Sequence, residues 1–429
     1  MPEASKAFSL PRFAGLCAVD FSARLSYNMA RTPVLPLFAA ALGAGPEWIG
    51  TIVAASTVTG IFLKAPAGAF SDHFGRRRTL LLGACVFAFT PFFYVFVGLA
   101  SVLLAVRVFH GIATAVYGPV AEAVAAEIAG ERRGEILSWF SLIKIGTNAL
   151  GGLAGAAVLE YFGGKAPSLP AFHSVYGAAG AAGVVALVVA AVLLPSVTGL
   201  EPERKRSFRE SYRKLGRGLL ETLTHGRVMV AASAESVQNM TMGTMQAFLP
   251  VYAVGVCGMS AIEAGLLWAV VTGTSLVSKP VMGMISDRAG RRGVIFLGLL
   301  LCAGPFAMLP WFTGFWVLAP IAAVFGLGEA FVTSSSAALV SEVCKRDCLG
   351  AAMGVFGTVA DAGQAIGPIA AGFLIVGFGG GTGGAAGGPQ GYRVAFGAIA
   401  AVVFLGSLAF AALSRAPKGD AKGKCELPE

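Results

Sequence analysis

Runs of apolar residues recur along the whole chain and are separated by short polar segments. Each run is about 20 residues or longer, which is enough to cross a bilayer as a helix. The loops between the runs are short, except for residues 196–226. The pattern predicts an all-α polytopic membrane protein with twelve helices, at 13–41, 47–71, 79–99, 102–128, 135–162, 174–195, 227–254, 262–285, 293–313, 316–343, 350–378 and 392–414.

The composition agrees with this pattern. Of 429 residues, 56% are apolar and only 13% are charged, whereas soluble domains carry roughly 25% charged residues. The seven cysteines are scattered, which argues against a disulfide framework. We therefore expect the lipid bilayer to be the main partner of this surface, and we expect no cofactor.

The basic residues are distributed unevenly along the chain. When successive loops are assigned to alternate sides, 24 of the 32 Lys and Arg fall on one side together with both termini. The positive-inside rule makes that side cytoplasmic, so the net charge of +9 is a topology signal and not a nucleic-acid footprint. A bacterial inner membrane, with both termini in the cytoplasm, is the expected location.

The chain contains an internal repeat at an offset of about 215 residues. Asp20 corresponds to Glu235, Lys64 to Lys279 and Asp72 to Asp287. The repeat predicts an N-terminal six-helix bundle (1–195), a basic cytoplasmic linker with an amphipathic helix (196–226), and a C-terminal six-helix bundle with a short tail (227–429). Six helices in each half give both halves the same orientation in the membrane, an arrangement that supports alternating access to a site between them.

Two loops carry a specific signature at corresponding places in the halves. Both have the form Gly-x-x-x-Asp, followed by a glycine turn and arginines, and they span Gly68–Arg78 and Gly283–Arg292. These loops resemble those of the major facilitator superfamily, and the resemblance covers essentially the whole chain. It implies a secondary transporter of two pseudo-symmetric six-helix bundles, with helices 1, 4, 7 and 10 around a central cavity.

Two further motifs resemble those of drug:proton antiporter-like members. Arg107-Val-Phe-His110-Gly111 on helix 4 is similar to an Arg-x-x-Gln-Gly element of proton-coupled members. Gly363-Gln-Ala-Ile-Gly367-Pro368-Ile-Ala-Ala-Gly372 on helix 11 is similar to an element that those antiporters carry on helix 5.

Polar residues inside the membrane are the candidate site residues, because each is costly there unless it has a partner or a water-filled cavity. Helical spacing predicts polar stripes on helices 1 and 7. The predicted substrate-binding residues are Arg24, Asn28, Arg31, Arg107, His110, Asn239, Met242, Gln246 and Glu329. Buried carboxylates whose protonation can change suit proton coupling, and the candidates are Asp20, Glu235, Glu122 and Asp361.

Charges near the cytoplasmic ends of the helices are the candidate gates. In the family, the loop aspartate docks at a helix N-terminus of the other half and holds the cytoplasmic side shut. Lys64 and Lys279 are further candidates that would guard the inner mouth of the cavity. The predicted gating residues are Asp72, Arg76, Arg77, Asp287, Arg288, Arg291, Lys64, Lys279 and Lys144.

The predicted function is secondary active transport. The chain has no phosphate-binding loop, and its four scattered histidines do not form a catalytic group, so an enzyme is not expected. Proton-coupled export of a small organic molecule by a monomer is the first interpretation. Transport of an organic anion in either direction, or of a metal ion or chelate bound by methionines of helices 7 and 8, is the alternative.

Overall fold

The structure is a computed structural model that describes residues 8–165, 167–198, 225–344, 346–379 and 387–414. Within these ranges the chain forms twelve long helices: α1 Leu10–Met29, α2 Pro46–Phe74, α3 Arg76–Tyr94, α4 Ala100–Ala129, α5 Arg133–Gly163, α6 Leu169–Thr198, α7 Gly226–Gly255, α8 Ala261–Ala289, α9 Arg291–Met308, α10 Phe315–Val343, α11 Arg346–Phe378 and α12 Pro389–Leu413.

Three short helices complete the described secondary structure. Val34–Ala41 follows α1, and two 3-10 turns lie at Gly130–Arg132 and Leu309–Trp311. We call α1–α6 the N-half and α7–α12 the C-half. The predicted linker helix and the end of the tail lie outside the described residues, so the exact domain boundaries stay a prediction.

Nine of the helices in the described residues are long and apolar enough to cross a membrane. The three that fall short are α1, α3 and α7. Helix α3 is only 19 residues long and begins with three arginines, whereas α1 and α7 carry the two polar stripes. Helices α1 and α7 occupy corresponding positions in the two halves. Their low hydropathy suits helices that line a polar cavity, because polar stripes facing lipid would be costly.

The first predicted helix is not continuous, which corrects the expectation of one helix over 13–41. Helix α1 ends at Met29, and residues 30–33 form a turn before the short helix Val34–Ala41 begins. Pro33 explains the break, because it has no N–H to donate and disfavours helical backbone at Thr32. Arg31 lies in this turn and therefore does not continue the helical face of Asp20 and Arg24.

The two ends of the molecule differ in how the halves pack. We call the end with Arg76–Arg78 and Arg288–Arg292 the basic end, and the other the opposite end. At the opposite end one hydrophobic core spans both halves and includes Phe38, Tyr94, Phe248 and Trp268. At the basic end each half has separate cores. The halves are therefore sealed together at the opposite end.

Close helix contacts make this seal. Helix α2 packs on α11, and α5 packs on α8. A Cβ at Gly50 would collide with the carbonyl oxygen of Pro368, and one at Gly372 would collide with that of Pro46. The backbone N–H of Ile262 donates to the Glu160 carboxylate across the second interface at 2.8 Å. The seal depends on backbone approach, so it tolerates little added volume.

We predict that Gly372→Val opens the opposite end. The added side chain has no room against α2, and overpacking costs about 1–3 kcal/mol, enough to shift a two-state equilibrium. Spin labels at the exposed positions Tyr161 and Trp316 would then show a longer distance by electron resonance. Gly377→Val on the same helix, where a Cβ meets nothing within 4 Å, is the matched control. Equal distance distributions in both variants would contradict this account of the seal.

Candidate functional site

Exposed charged side chains well inside the helices indicate a polar cavity that faces the basic end. Lys64 lies well inside α2 and its side chain is 46% exposed, while Glu122 on α4 is 52% exposed. Charged side chains this far along membrane-crossing helices reach water only through a cavity. The cavity closes toward the opposite end, where the shared core begins.

Two ion pairs between predicted site residues lie within the N-half. The Arg24 Nε donates to the buried Asp20 carboxylate at 2.8 Å, one helical turn away on α1. Lys144 on α5 pairs with Glu122 on α4. Two predicted proton sites, Asp20 and Glu122, therefore each have a cationic partner. Arg24 was predicted to bind substrate and Lys144 to act as a gate.

The two buried acids of the C-half, Glu329 and Glu235, differ in their partners. Glu329 on α10 accepts hydrogen bonds from Thr333 at 3.0 Å and from Ser275 on α8, and it pairs with Lys279 at 3.2 Å. Glu235 on α7 is 4% exposed and lies beside Glu329. No ion pair joins Glu235 to a base among the described residues, and its Oε2 has no hydrogen-bond partner there.

Two polar contacts connect the halves at the level of the cavity. Lys64 on α2 pairs with Asp361 on α11. Further toward the opposite end, the Arg31 guanidinium donates to the Gln246 amide oxygen at 2.9 Å. Gln364 on α11 approaches the same oxygen at 3.5 Å. The structure thus brings Arg31, Gln246 and Asp361 to the boundary between the halves, as a site for alternating access requires.

Three predicted substrate-binding residues lie inside the N-half and do not reach the open cavity. Arg107 is 1% exposed and donates to the Ser56 hydroxyl at 2.6 Å. The His110 Nδ1 lies 3.1 Å from the Tyr94 hydroxyl oxygen, and Asn28 packs against Gly151 of α5. Among the described residues no carboxylate pairs with Arg107, so a buried guanidinium is held by neutral groups.

The family model of the Major Facilitator Superfamily matches residues 16–278 and 258–428. The chain belongs to the major facilitator superfamily. The predicted family, the fold class and the absence of an enzyme fold are thereby confirmed.

Relatives of the chain are transporters at low identity. An uncharacterized MFS-type transporter of Methanocaldococcus jannaschii is 23% identical over 350 residues, covering 80% of this chain and 86% of the relative. The multidrug transporter MdfA of Edwardsiella ictaluri is 24% identical over 355 residues, covering 79% and 82%.

Solved structures show the same fold. A bacterial homologue of the human lysosomal transporter Spinster, in an inward-facing and unoccupied conformation, has a TM-score of 0.79 with 14% identity, and the match covers 95% of this chain and 98% of that one. The nucleoside transporter NupG has a TM-score of 0.76 with 14% identity, over 95% of this chain and 100% of that one.

The loop-signature residues of the superfamily lie at the basic end and form pairs within each half. Arg76 pairs with Glu127 at 2.6 Å. Arg291 pairs with Asp287 at 2.8 Å and with Glu342 at 2.6 Å. The Asp287 side chain is 62% exposed, and Arg77 and Arg288 are exposed as well. The side chain of Asp72 lies outside the described residues, so its predicted docking stays a prediction.

The methionines of α7 and α8 do not converge. Met245 belongs to the core at the opposite end, whereas Met282 packs in a small core at the basic end and Met284 is exposed. Met242 is partly buried against the first of these cores. Among the described residues, no three His, Cys, Asp or Glu side chains form a metal-binding group. This arrangement offers no support for a soft-metal site.

Several polar residues of the cavity region were missed in the sequence. Ser275, Thr333, Ser336 and Gln364 lie at or near the charged groups. Two of them follow a recognisable helical spacing. Thr333 and Ser336 lie four and seven residues after Glu329, which places all three on one helical face. A search for hydroxyl residues on the faces of the predicted acids would have found them.

We predict different outcomes for the two corresponding lysines. Lys64 joins the halves, whereas Lys279 pairs within the C-half. Lys64→Ala should lower the ratio of molecules sealed at the opposite end to molecules open there two- to five-fold, since a half-exposed ion pair contributes about 0.5–1 kcal/mol. Lys279→Ala is the matched control and should leave the inter-half distances unchanged. The distance between labels at Tyr161 and Trp316 is measured in both variants. Equal changes in that distance would contradict the assignment of Lys64 to a contact between the halves.

Proposed function

We propose that this chain is a proton-coupled secondary transporter that moves a small organic solute by alternating access, in the direction of export. The observation that carries the proposal is the placement of Asp20 and Glu235. They occupy corresponding positions on α1 and α7, and each is buried. Intramembrane carboxylates are suited to carry protons.

The separate cores at the basic end and the shared core at the opposite end support the alternating-access part of the proposal. In this arrangement the solute enters or leaves through the basic end, which the distribution of Lys and Arg assigns to the cytoplasm. The protein would act as a monomer in the cytoplasmic membrane, with both termini inside. The relative named as a multidrug transporter supports a small organic solute as the substrate, and the direction of export follows from the resemblance to drug:proton antiporter-like members.

The proposed cycle uses protonation to weaken charge pairs. A proton on Asp20 removes its attraction to Arg24, and a proton on Asp361 removes the bridge from Lys64 across the halves. Either change lowers the cost of separating the groups when the halves rock. Glu122 and Glu329 would take part through Lys144 and Lys279 in the same way.

A second candidate is transport of an organic anion. Arg31 lies at the boundary of the halves with its Nε unpartnered, and the described residues place no carboxylate against it. A guanidinium there offers bidentate donors to a carboxylate or phosphate. The flux assay below separates the two candidates by which class of solute is driven.

We predict that Asp20→Asn and Glu235→Gln each abolish transport driven by a pH gradient while leaving a folded protein. An amide mimics a permanently protonated acid, so the variant can still pass solute down its own gradient but cannot couple it to protons. Solute flux into proteoliposomes is measured with and without an imposed pH gradient. Glu135→Gln, an exposed acid paired with Arg132, is the control.

Unchanged pH dependence in both variants would refute the coupling assignment. The absence of flux for every solute that binds the wild type would refute the transport proposal itself.

A further inference from the structure

An apolar groove runs along the surface of α2, between α4 and α11. Helix α2 packs on both of these helices, so it forms the floor of the groove and they form its sides. The groove encloses about 410 Å³, a volume in the range of small-molecule sites, roughly 300–1,000 Å³. Its lining includes Val58, Phe62 and Leu63 of α2, Leu104 and Val108 of α4, and Ile369 of α11.

The groove lies within the part of α2 that is apolar enough to cross a membrane. That part is Pro46–Lys64, and the lining residues of α2 extend from Thr51 to Leu63. They span about 18 Å of helix, which is close to the roughly 15 Å of hydrocarbon in one leaflet. Phe62 and Val108 are 71% and 44% exposed within the membrane-crossing segments, so the groove opens toward lipid.

The polar residues of the lining are two threonines, and both are already bonded. The Thr51 hydroxyl donates to the Glu47 carbonyl at 2.7 Å. The Thr59 hydroxyl donates to the Ala55 carbonyl at 2.9 Å and lies 3.4 Å from the Val108 carbonyl of α4. Backbone oxygens use both donors, so the groove suits an apolar occupant and disfavours a charged or strongly polar one.

The groove has a side from each half of the molecule. Its floor and one side belong to the N-half, whereas Ile369 on α11 belongs to the C-half. Ile369 follows Pro368, whose carbonyl oxygen would collide with a Cβ at Gly50. Gly50 in turn precedes Thr51, where the lining of α2 begins. The groove therefore starts beside a close contact between the halves and keeps both of its sides only while that contact holds.

We propose that one acyl chain of a phospholipid occupies this groove and stabilises the arrangement that is sealed at the opposite end. The groove extends along α2 over nearly the depth of a leaflet, which a chain can follow. A compact apolar molecule would leave part of the lining without contacts. Helix α2 begins at the opposite end, so the chain belongs to a lipid of the leaflet on that side.

Binding of the chain is independent of the transported solute, but its effect on conformation rests on the alternating access proposed above. When the opposite end opens, Gly50 and Pro368 separate and Ile369 leaves the groove. A chain that contacts both halves favours the sealed state, because a ligand shifts an equilibrium toward the state that it binds better. The lipid is then a conformation-selective ligand and not only the solvent of this surface.

Native mass spectrometry of the full-length chain in detergent measures the bound lipid. We expect one phospholipid to be retained more tightly than the others. Phosphatidylethanolamine and phosphatidylglycerol with the same chains should bind with similar affinity, because the groove contacts the chain and not the headgroup. A dihexanoyl lipid should bind about tenfold or more weakly, since affinity grows with each buried CH₂ group.

Two valine variants localise the lipid. Val108 lines the groove, whereas Val402 lies on the surface of α12, and both are 44% exposed. Val108→Trp places a large side chain in the groove and should abolish the tight binding. Val402→Trp is the matched control and should bind lipid as the wild type does. Val58→Trp fills the same groove from α2 and decides the question if Val108→Trp does not fold.

The distance between labels at Tyr161 and Trp316 reports the conformation in the same preparations. At a phosphatidylethanolamine concentration about ten times its dissociation constant, the ratio of sealed to open molecules should rise about tenfold in the wild type. The same rise is expected in Val402→Trp, whereas the ratio in Val108→Trp should not respond to the lipid.

Tight lipid binding that survives in both groove variants, or that is lost equally in Val402→Trp, would overturn the site. Lipid binding without a change in the label distances would overturn its effect on the conformation. Pyrene, an apolar molecule without a chain, tests the competing occupant. Saturable pyrene binding that Val108→Trp removes, with phospholipid binding unchanged, would assign the groove to a compact apolar solute and overturn the proposal.

Solute flux in proteoliposomes keeps this inference apart from the proposed function. Tight phospholipid binding at the groove in a chain that moves no solute would support the lipid site and refute the transport proposal. Proton-driven flux without tight phospholipid binding would do the reverse.

Discussion

The structure depends on one constraint, which is that an ionisable group inside a membrane must have a partner or water. Eleven of the predicted site residues are charged and lie outside the loop signatures, and eight of them pair with a neighbour of opposite charge. Asp20 has Arg24, Glu122 has Lys144, Glu329 has Lys279, and Asp361 has Lys64. Within this set the N-half carries five bases and two acids, whereas the C-half carries one base and three acids. The two bundles therefore have opposite net charge, and the Lys64–Asp361 pair joins them.

The packing of the halves differs between the two ends of the molecule. A hydrophobic core shared by both halves closes the opposite end, and separate cores leave the basic end open. Glycines at the two interhalf interfaces let backbones touch, so the seal is tight but small. Rocking of one bundle against the other requires the contact at one end to break while a corresponding contact forms at the other end. A small interface suits this exchange, because little contact area is lost when it breaks.

Much of the fold was predictable from the sequence. The apolar runs predict the twelve helices, and the repeat predicts two corresponding halves, because hydropathy and spacing are local properties of the chain. The break after α1 could also have been predicted, since Pro33 and Pro36 interrupt the helical pattern. The polar stripes of α1 and α7 predict Asp20 and Glu235 as candidate site residues from helical spacing alone.

The partners of the charged residues were not predictable from the same signals. The repeat assigns equivalent roles to Lys64 and Lys279, yet one reaches across the halves and the other stays within its own. Which acid a lysine meets depends on the rotation and tilt of neighbouring helices, and a single sequence does not encode these in any short pattern. The sequence shows that Asn239 stands at the position of Arg24, but it does not show that Glu235 lacks an ion pair among the described residues, whereas Asp20 has one.

The central claim is that protonation controls which end of the molecule is closed by contacts between the halves. The most direct measurement is the distance across each end in lipid nanodiscs as the pH is lowered from 8 to 5. One label pair would lie at the basic end, on Ser196 and Leu413, and the other at the opposite end, on Tyr161 and Trp316. The account predicts opposite changes, with one distance shortening as the other lengthens. Distances that do not change with pH, or that change in the same direction at both ends, would contradict the account.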